Sequence, residues 1–565
     1  MTADTCLDSV LEDIGSFGKY QSKIVTLILV VAAMVYFPII VWAFEARQMK
    51  HRCQIPGYES SPTEYMPHWW TDAIPSIHNE PAYCERYKCS LHNVTSNNYA
   101  LCSGFDKTKV ESCNEFVYEI NKTSILQDFN LHCNENTWKL TLVGTINSIG
   151  GILGLPISGM LSDRFGRKTI LISSVALSAL CGIIRSFSNT YTFFLVMEFV
   201  DAFSKAGSYS TCFIIGAEFV SPDKRVLMSV LINIATSVGG MIVGCVAWAV
   251  PTWRMLDQIL YGSCFIILSY YWFLPESLRW LLTKKRYEHA SRILSTIAKT
   301  NGTTLSKEHM NQLFHTEPLL ENTETYPLRR LLQSPILTRR FVNCCVCWMF
   351  CLISYYGLTI NAISLSNNGY VDFILCMFVE IPGNIAAHFL MNRIGKRYCF
   401  TLAFFICGIS SASFIFIPHD LSVIRLSVYL LGKCAAAINM TAIYSLTSEI
   451  FPTSLRSSLL TSCSMFGRFG IVVASQTPLL ELYWQPLPLV LFALTAFAGS
   501  ILTLRFPETL NETLPNTIEQ AENIGRRKTS ERISQNEQTC TEEIEKLTTK
   551  NIPLGTVLVM STEEH

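Results

Sequence analysis

Six ionisable residues stand near the middle of otherwise apolar runs: Glu198, Asp201 and Lys205 in one run, and Glu380, Lys433 and Arg468 each in a run of its own. A charged side chain at bilayer depth costs roughly 2.5–3.5 kcal/mol on insertion scales, so it faces the interior of a helix bundle and is a functional candidate by default. Spacings of three and four residues put Glu198, Asp201 and Lys205 on one helical face, where they can neutralise one another. The same pairing is open to Glu380 with Lys433. Arg468 has no acid nearby in sequence. A pocket for simple cations would show excess acid, and one for dianions excess base. Three acids against three bases fit a zwitterion, or a structure whose charges are mostly paired.

The elements that hold these residues are long apolar runs. The chain has 565 residues, 49% of them hydrophobic and only 16% charged, where a soluble protein carries about 25% charge. Runs at 23–44, 139–161, 169–188, 190–217, 226–250 and 257–274 are followed, after a gap, by runs at 340–360, 370–391, 398–417, 422–447, 457–479 and 486–505. Each is near the length of about 20 residues that a spanning helix needs. Two sets of six predict an all-α membrane protein of two six-helix bundles related as pseudo-repeats. The expected organisation is a cytoplasmic N-terminus (1–22), a first bundle (23–274) carrying an outer loop (45–136), a cytoplasmic linker (275–338), a second bundle (339–509) and a disordered cytoplasmic tail (510–565). Tyr287–Lys299 in the linker reads as an amphipathic surface helix. The first 20 residues are polar and acidic, and the first apolar run exceeds a signal-peptide core, so it is expected to be a spanning helix.

Orientation follows from short basic loops. Asp163–Lys168 and Asn392–Arg397 carry the Lys/Arg excess of cytoplasmic loops. An even number of spans then puts both termini on that side and the 45–136 loop outside. That loop holds Cys53, Cys84, Cys89, Cys102, Cys113 and Cys133, with sequons at Asn93 and Asn121. An even cysteine count in an oxidising compartment predicts disulfides, with fifteen connectivities open, and the sequons predict a glycoprotein. A net charge of zero gives no electrostatic basis for binding nucleic acid. Metalloprotease, nucleophile-elbow and P-loop motifs are absent, as are clustered His/Cys sites. Neither catalysis, a cofactor nor a metal is expected.

The stretch Gly159-Met160-Leu161-Ser162-Asp163-Arg164-Phe165-Gly166-Arg167-Lys168 matches the G-x-L-x-D-R-x-G-R-K loop, and identifies the chain as similar to the major facilitator superfamily. Its glycines would let helix ends approach closely, and Asp163 would pair across the inter-domain seam near a helix N-terminus. A degenerate copy spans Met391–Arg397, including Arg393. Pro275-Glu276-Ser277-Leu278-Arg279-Trp280-Leu281 resembles an element shared by sugar and organic-ion transporters. Glu218 with Arg225, and Glu449 with Arg456, occupy corresponding places in the two halves, and Pro507-Glu508-Thr509 closes the twelfth span. With Asp163, Arg164, Arg167, Glu276, Arg279 and Arg393, these resemble cytoplasmic gating clusters that lock the outward-open state.

The large cysteine-bearing loop, Phe116-Val117-Tyr118, Asp128-Phe129-Asn130-Leu131-His132-Cys133, Tyr355-Tyr356-Gly357-Leu358, Val379-Glu380-Ile381-Pro382 and Trp484-Gln485-Pro486-Leu487-Pro488-Leu489 resemble the organic cation, anion and carnitine transporter family (solute carrier family 22) almost end to end. The resemblance implies a multi-pass plasma-membrane carrier working by alternating access in membrane lipid, with a small organic ion as substrate and a co-transported or exchanged ion as a further partner. It implies a binding site of Tyr209, Phe213, Tyr355, Tyr356, Glu380, Lys433, Tyr444 and Arg468. Arg468 falls at a position that is acidic in the family's cation carriers and arginine in its anion and carnitine carriers. The expectation is therefore a carnitine-like betaine or a monoanion, its ammonium at aromatic faces and Glu380 and its carboxylate at Arg468. An organic cation carrier and a non-transporting sensor that kept the fold are the alternatives. Glu198 departs from the arginine usual at the start of the fourth span, which leaves the role of that position open.

Overall fold

The computed structural model describes residues 10, 17–55, 58–59, 63–77, 80–91, 102–119, 122–221, 224–303, 334–365, 368–418, 420–510, 515 and 518–524. Among the described residues, nine helices are long and apolar enough to cross a membrane: Lys19–Glu45, Thr137–Phe165, Arg167–Ser186, Leu227–Ala249, Pro335–Asn361, Gly369–Ile394, Lys396–Phe416, Ser422–Ile450 and Ser458–Glu481. The twelfth run forms the shorter apolar helix Leu487–Thr503. The fourth is broken into Tyr191–Lys205 and Ser208–Glu218. The sixth passes from Trp253–Cys264 through a 3₁₀ turn, Phe265–Ser269, into Tyr270–Phe273. All twelve runs are helical, and the two interruptions are what a count of spans by hydropathy misses.

Two large apolar cores divide the chain. One gathers residues mainly of the first six spans and the linker helices, and the other residues of the last six. The two halves meet through the second span against the eleventh and the fifth against the eighth.

The loop after the first span is a small disulfide-bonded unit. Strands His51–Cys53 and Phe116–Tyr118 pair antiparallel, as do Glu85–Leu91 and Cys102–Ser112. Of the fifteen connectivities, the structure contains Cys53–Cys113 and Cys84–Cys133. Cys89 is also disulfide-bonded. The side chain of Cys102, and both sequon residues Asn93 and Asn121, lie outside the described residues.

The linker helix is Tyr287–Asn301, burying Ala290, Leu294 and Ile297 on one side as its amphipathic pattern predicts. The region expected to be a disordered tail from 510 contains a helix, Ile518–Asn523, with Ala521 buried. It is held because Arg340 donates to the carbonyls of Ala521 at 2.5 Å and Ile524 at 3.1 Å, satisfying acceptors that a helix end leaves unpaired.

Candidate functional site

A cavity enclosing about 1210 Å³ of empty space, its open mouth included, lies between the two halves. Tyr36 comes from the first span, Asn147 from the second, Lys205 and Tyr209 from the fourth and Asn233 from the fifth. The second half contributes Trp348, Tyr355, Tyr356, Glu380, Asn384, Tyr444 and Arg468. Six of the eight expected binding residues therefore share one wall-to-wall space. Two do not. Phe213 packs on the apolar core of the first half. Lys433 is fully buried behind the cavity wall.

Lys433 is held on every side. Its ammonium pairs with Glu380 at 2.7 Å, donates to Thr359 Oγ1 at 2.6 Å, and sits 3.5 Å over the Tyr355 ring. One face of Tyr355 is thus already taken by the protein's own cation. Glu380 also accepts from Ser237 Oγ of the opposite half at 2.8 Å. The fourth-span acids are likewise paired, but only in part with each other. Lys205 bonds Asp201 at 2.8 Å and the Pro38 carbonyl. Glu198 pairs instead with Arg185 of the third span.

Arg468 is different. Its Nη2 donates to the backbone carbonyl of Ala206 at 3.3 Å, and among the described residues no carboxylate lies within ion-pair distance. Ala206 sits where the fourth span breaks, so an interrupted helix places bare backbone at the cavity wall. Tyr356 and Tyr444 flank the guanidinium closely enough to act on it. Trp348 meets Tyr444 edge-on at 4.6 Å, and Tyr355 meets Tyr356 at 5.2 Å.

On the linker side, each half carries its own ion cluster. Arg167 pairs with Asp163 at 3.7 Å and Glu218 at 3.4 Å. Glu276 accepts from the Lys168 amide at 3.0 Å, Ser277 Oγ donates to Glu218, and Arg279 is near enough to act on Glu218. The second half repeats this arrangement: Lys396 pairs with Glu449, and its amide donates to Glu508 at 3.0 Å. With the loop side closed, these bonds tie helices of one half together. Asp163 is mostly exposed. Arg164 lies over Phe165, and Arg225 and Arg456 bond backbone carbonyls of Ala217 and Phe451. Arg393 is exposed; the residue corresponding to Arg167 is Lys396, one place after the motif glycine in each half, a register that the copied glycine makes readable.

The bonds and ring contacts that join the halves sit at mid-helix or toward the cysteine loop. Phe44 packs edge-on against Phe373 at 4.8 Å and on Tyr370 at 5.9 Å. Arg47 and Lys122 both lie over the Tyr370 ring, and Thr141 donates to Gln476 at 2.9 Å. The loop side is closed.

The profile of the family described as "Sugar (and other) transporter" matches residues 89–521, and again 373–560. The chain is 30% identical to solute carrier family 22 member 1 of Bos taurus, over 92% of this chain and 93% of that one. It is 29% identical to the organic cation transporter protein of Drosophila melanogaster, over 92% and 95%, and 28% identical to Homo sapiens solute carrier family 22 member 2, over 94% and 97%. Among solved structures, the partially occluded inward-open xylose transporter XylE of E. coli superposes with a TM-score of 0.60 at 14% identity, covering 88% of this chain and all of that one. The same transporter bound to 6-bromo-6-deoxy-D-glucose, a major facilitator superfamily proton:xylose symporter, gives 0.56 at 15%, covering 89% and 98%. With that fold and those relatives, the chain belongs to solute carrier family 22 of the sugar (and other) transporter family, and is a membrane transporter.

Proposed function

We propose that this transporter carries small organic ions by alternating access, with zwitterions such as trimethylammonium carboxylates, or monoanions, as its preferred substrates. The observation that carries the preference is Arg468. Glu380 is met by Lys433 and Asp201 by Lys205, so the guanidinium is the cavity charge without an acid beside it. A substrate carboxylate would take two of its N–H donors in parallel, a geometry that arginine matches and lysine does not. A quaternary ammonium on the same substrate would meet Tyr356, Tyr444 and Trp348, worth about 2 kcal/mol or more for a desolvated cation over an aromatic face.

The cycle follows from the two halves. Tight clusters within each half keep it rigid, so access to the central site would change by rocking one half against the other. Disulfides in the large loop fit an oxidising outer face, which supports the reading of cytoplasmic termini on a plasma-membrane carrier.

An organic cation carrier is the second reading, favoured by the relatives named for cation transport and by Glu380 on the cavity wall. Uptake into proteoliposomes of a labelled betaine, an aromatic monocarboxylate and tetraethylammonium separates the two. The betaine or monocarboxylate should accumulate, and Arg468→Asp should abolish that uptake while admitting tetraethylammonium. Tetraethylammonium uptake by the unaltered protein, with no carboxylate uptake, would establish the second reading instead.

A further inference from the structure

The first half contains a buried charge cluster that substrate binding does not use. Arg185 of the third span is fully buried, and so are Glu45, Glu198, Asp201 and Asp257. Its guanidinium bonds Glu45 at 2.6 Å and Asp257 at 3.0 Å, pairs with Glu198, and donates to Tyr261 Oη at 3.2 Å. Tyr261 in turn donates to Asp201 at 2.8 Å, which Ser178 and Lys205 also bond. Asn147 of the second span donates to Glu198 at 2.5 Å. The thiols of Cys181 and Cys264 complete the titratable surroundings, close enough to Asp201 to interact with it.

Four carboxyls face two cations, Arg185 and Lys205. Fully ionised, the cluster would hold two uncompensated negative charges out of water, which a bundle interior does not tolerate. A second observation locates the remedy. One oxygen each of Glu45 and Asp257 bonds the same nitrogen, Arg185 Nη2, at 2.6 and 3.0 Å, and Glu45 Oε2 receives no donor among the described residues. Two carboxyls that converge on one guanidinium nitrogen, in a cluster two cations short, share a proton, because like charges that close cannot both persist out of water.

We infer that Glu45 and Asp257 form a proton-binding site, loaded from the loop side as the halves close there, and that this proton moves with the substrate. The inference rests on the carrier reading above. Its mechanical basis is the position of Glu45. Phe44, the residue before it, packs on Tyr370 and Phe373 of the second half, and Trp42 and Ser475 both press on Gly144. Opening that gate frees the segment carrying Glu45 and lets water reach its carboxylate. Closing it removes the water, and an O–H bond forms at Glu45 or Asp257 with a proton drawn from the loop-side solution. A state that buries the acid and a proton that stabilises the buried acid favour each other by reciprocal linkage. The way onward is also present. Lys205 and Asn147 touch the cluster and line the substrate cavity, so a proton released when the cavity faces the linker side has polar groups to follow.

The test uses the full-length protein in liposomes with a trapped pH-sensitive dye, and a labelled trimethylammonium carboxylate as probe. Adding probe should acidify the lumen, and a gradient of one pH unit should change probe accumulation about tenfold for one coupled proton. Glu45→Gln and Asp257→Asn should each keep exchange of labelled for unlabelled probe while losing the acidification. Having both variants guards against one failing to fold, and the unaltered protein is informative by itself. Exchange without acidification in the unaltered protein overturns the proton site and leaves the carrier reading intact. Acidification that survives in both variants overturns the assignment to Glu45 and Asp257. Absence of any exchange overturns both readings together.

Discussion

Lys433 and Arg468 carry the same charge in neighbouring spans yet meet opposite surroundings. Lys433 is enclosed by Glu380, Thr359 and Tyr355, whereas Arg468, among the described residues, reaches a backbone carbonyl and two tyrosines. Removing one partner of a buried pair strands the other, at about 3–5 kcal/mol. Lys433→Met and Glu380→Gln should therefore each lower the thermal unfolding temperature in detergent sharply, and the double variant should recover much of the loss. An equal loss in the double variant would show that the pair is not coupled. That pairing is readable from sequence as one of two options for Glu380. The Arg185 network is not, because its partners come from four other segments and Arg185 stands at the edge of its run. A second prediction concerns His132 in the loop. Tyr118 Oη lies 2.6 Å from its Nε2, and burial, with His51 nearby, lowers its pKa to about 4. The folded loop thus prefers the neutral imidazole. Its contribution is present above the unfolded value near 6.5 and is lost as pH falls from there toward 4. Loop proteolysis should accelerate across that window, and His132→Phe should flatten the profile.

At the level of elements, hydropathy alone is enough to locate all twelve helices, because a 20-residue apolar run has few other fates. What it cannot register is a break such as Lys205–Ser208, where the second span lies so close that a Cβ on Gly154 would meet the Phe203 carbonyl and one on Gly207 the Ser158 side chain. Motif glycines make the same point. Gly166 has φ of 104° and ψ of 150°, a region essentially reserved for glycine, and an added Cβ would strike the Glu276 carboxylate. Gly159, equally prominent in the motif, has open space around it. Gly166→Ala should cost on the order of 1–3 kcal/mol, visible as lost folded yield and a lower unfolding temperature, while Gly159→Ala should be near neutral. Equal effects would mean that the motif acts through helix propensity rather than through this turn.

For the whole molecule, the closed loop side rests on few residues. Tyr370 of the second half is gripped by Arg47, Lys122 and Phe44 of the first. Tyr370→Ala should raise hydrogen–deuterium exchange in residues 36–45 and 369–377, leaving the linker-side clusters unchanged; unaltered exchange would place the latch elsewhere. The large loop, meanwhile, is fastened to the first half. Cys84–Cys133 pins it to the start of the second span. Lys122 bonds the carbonyls of Ala247 and Trp248, and Asp128 receives Trp253 and Arg254. The folded loop is therefore a passenger of one half, and its footprint decides how a binding protein raised against it behaves. An antibody fragment seated wholly on the Glu85–Ser112 hairpin would ride along and leave turnover untouched. One whose edge also grips the exposed Tyr483 and Trp484 of the second half would splint the two together and stop the machine without ever entering its cavity.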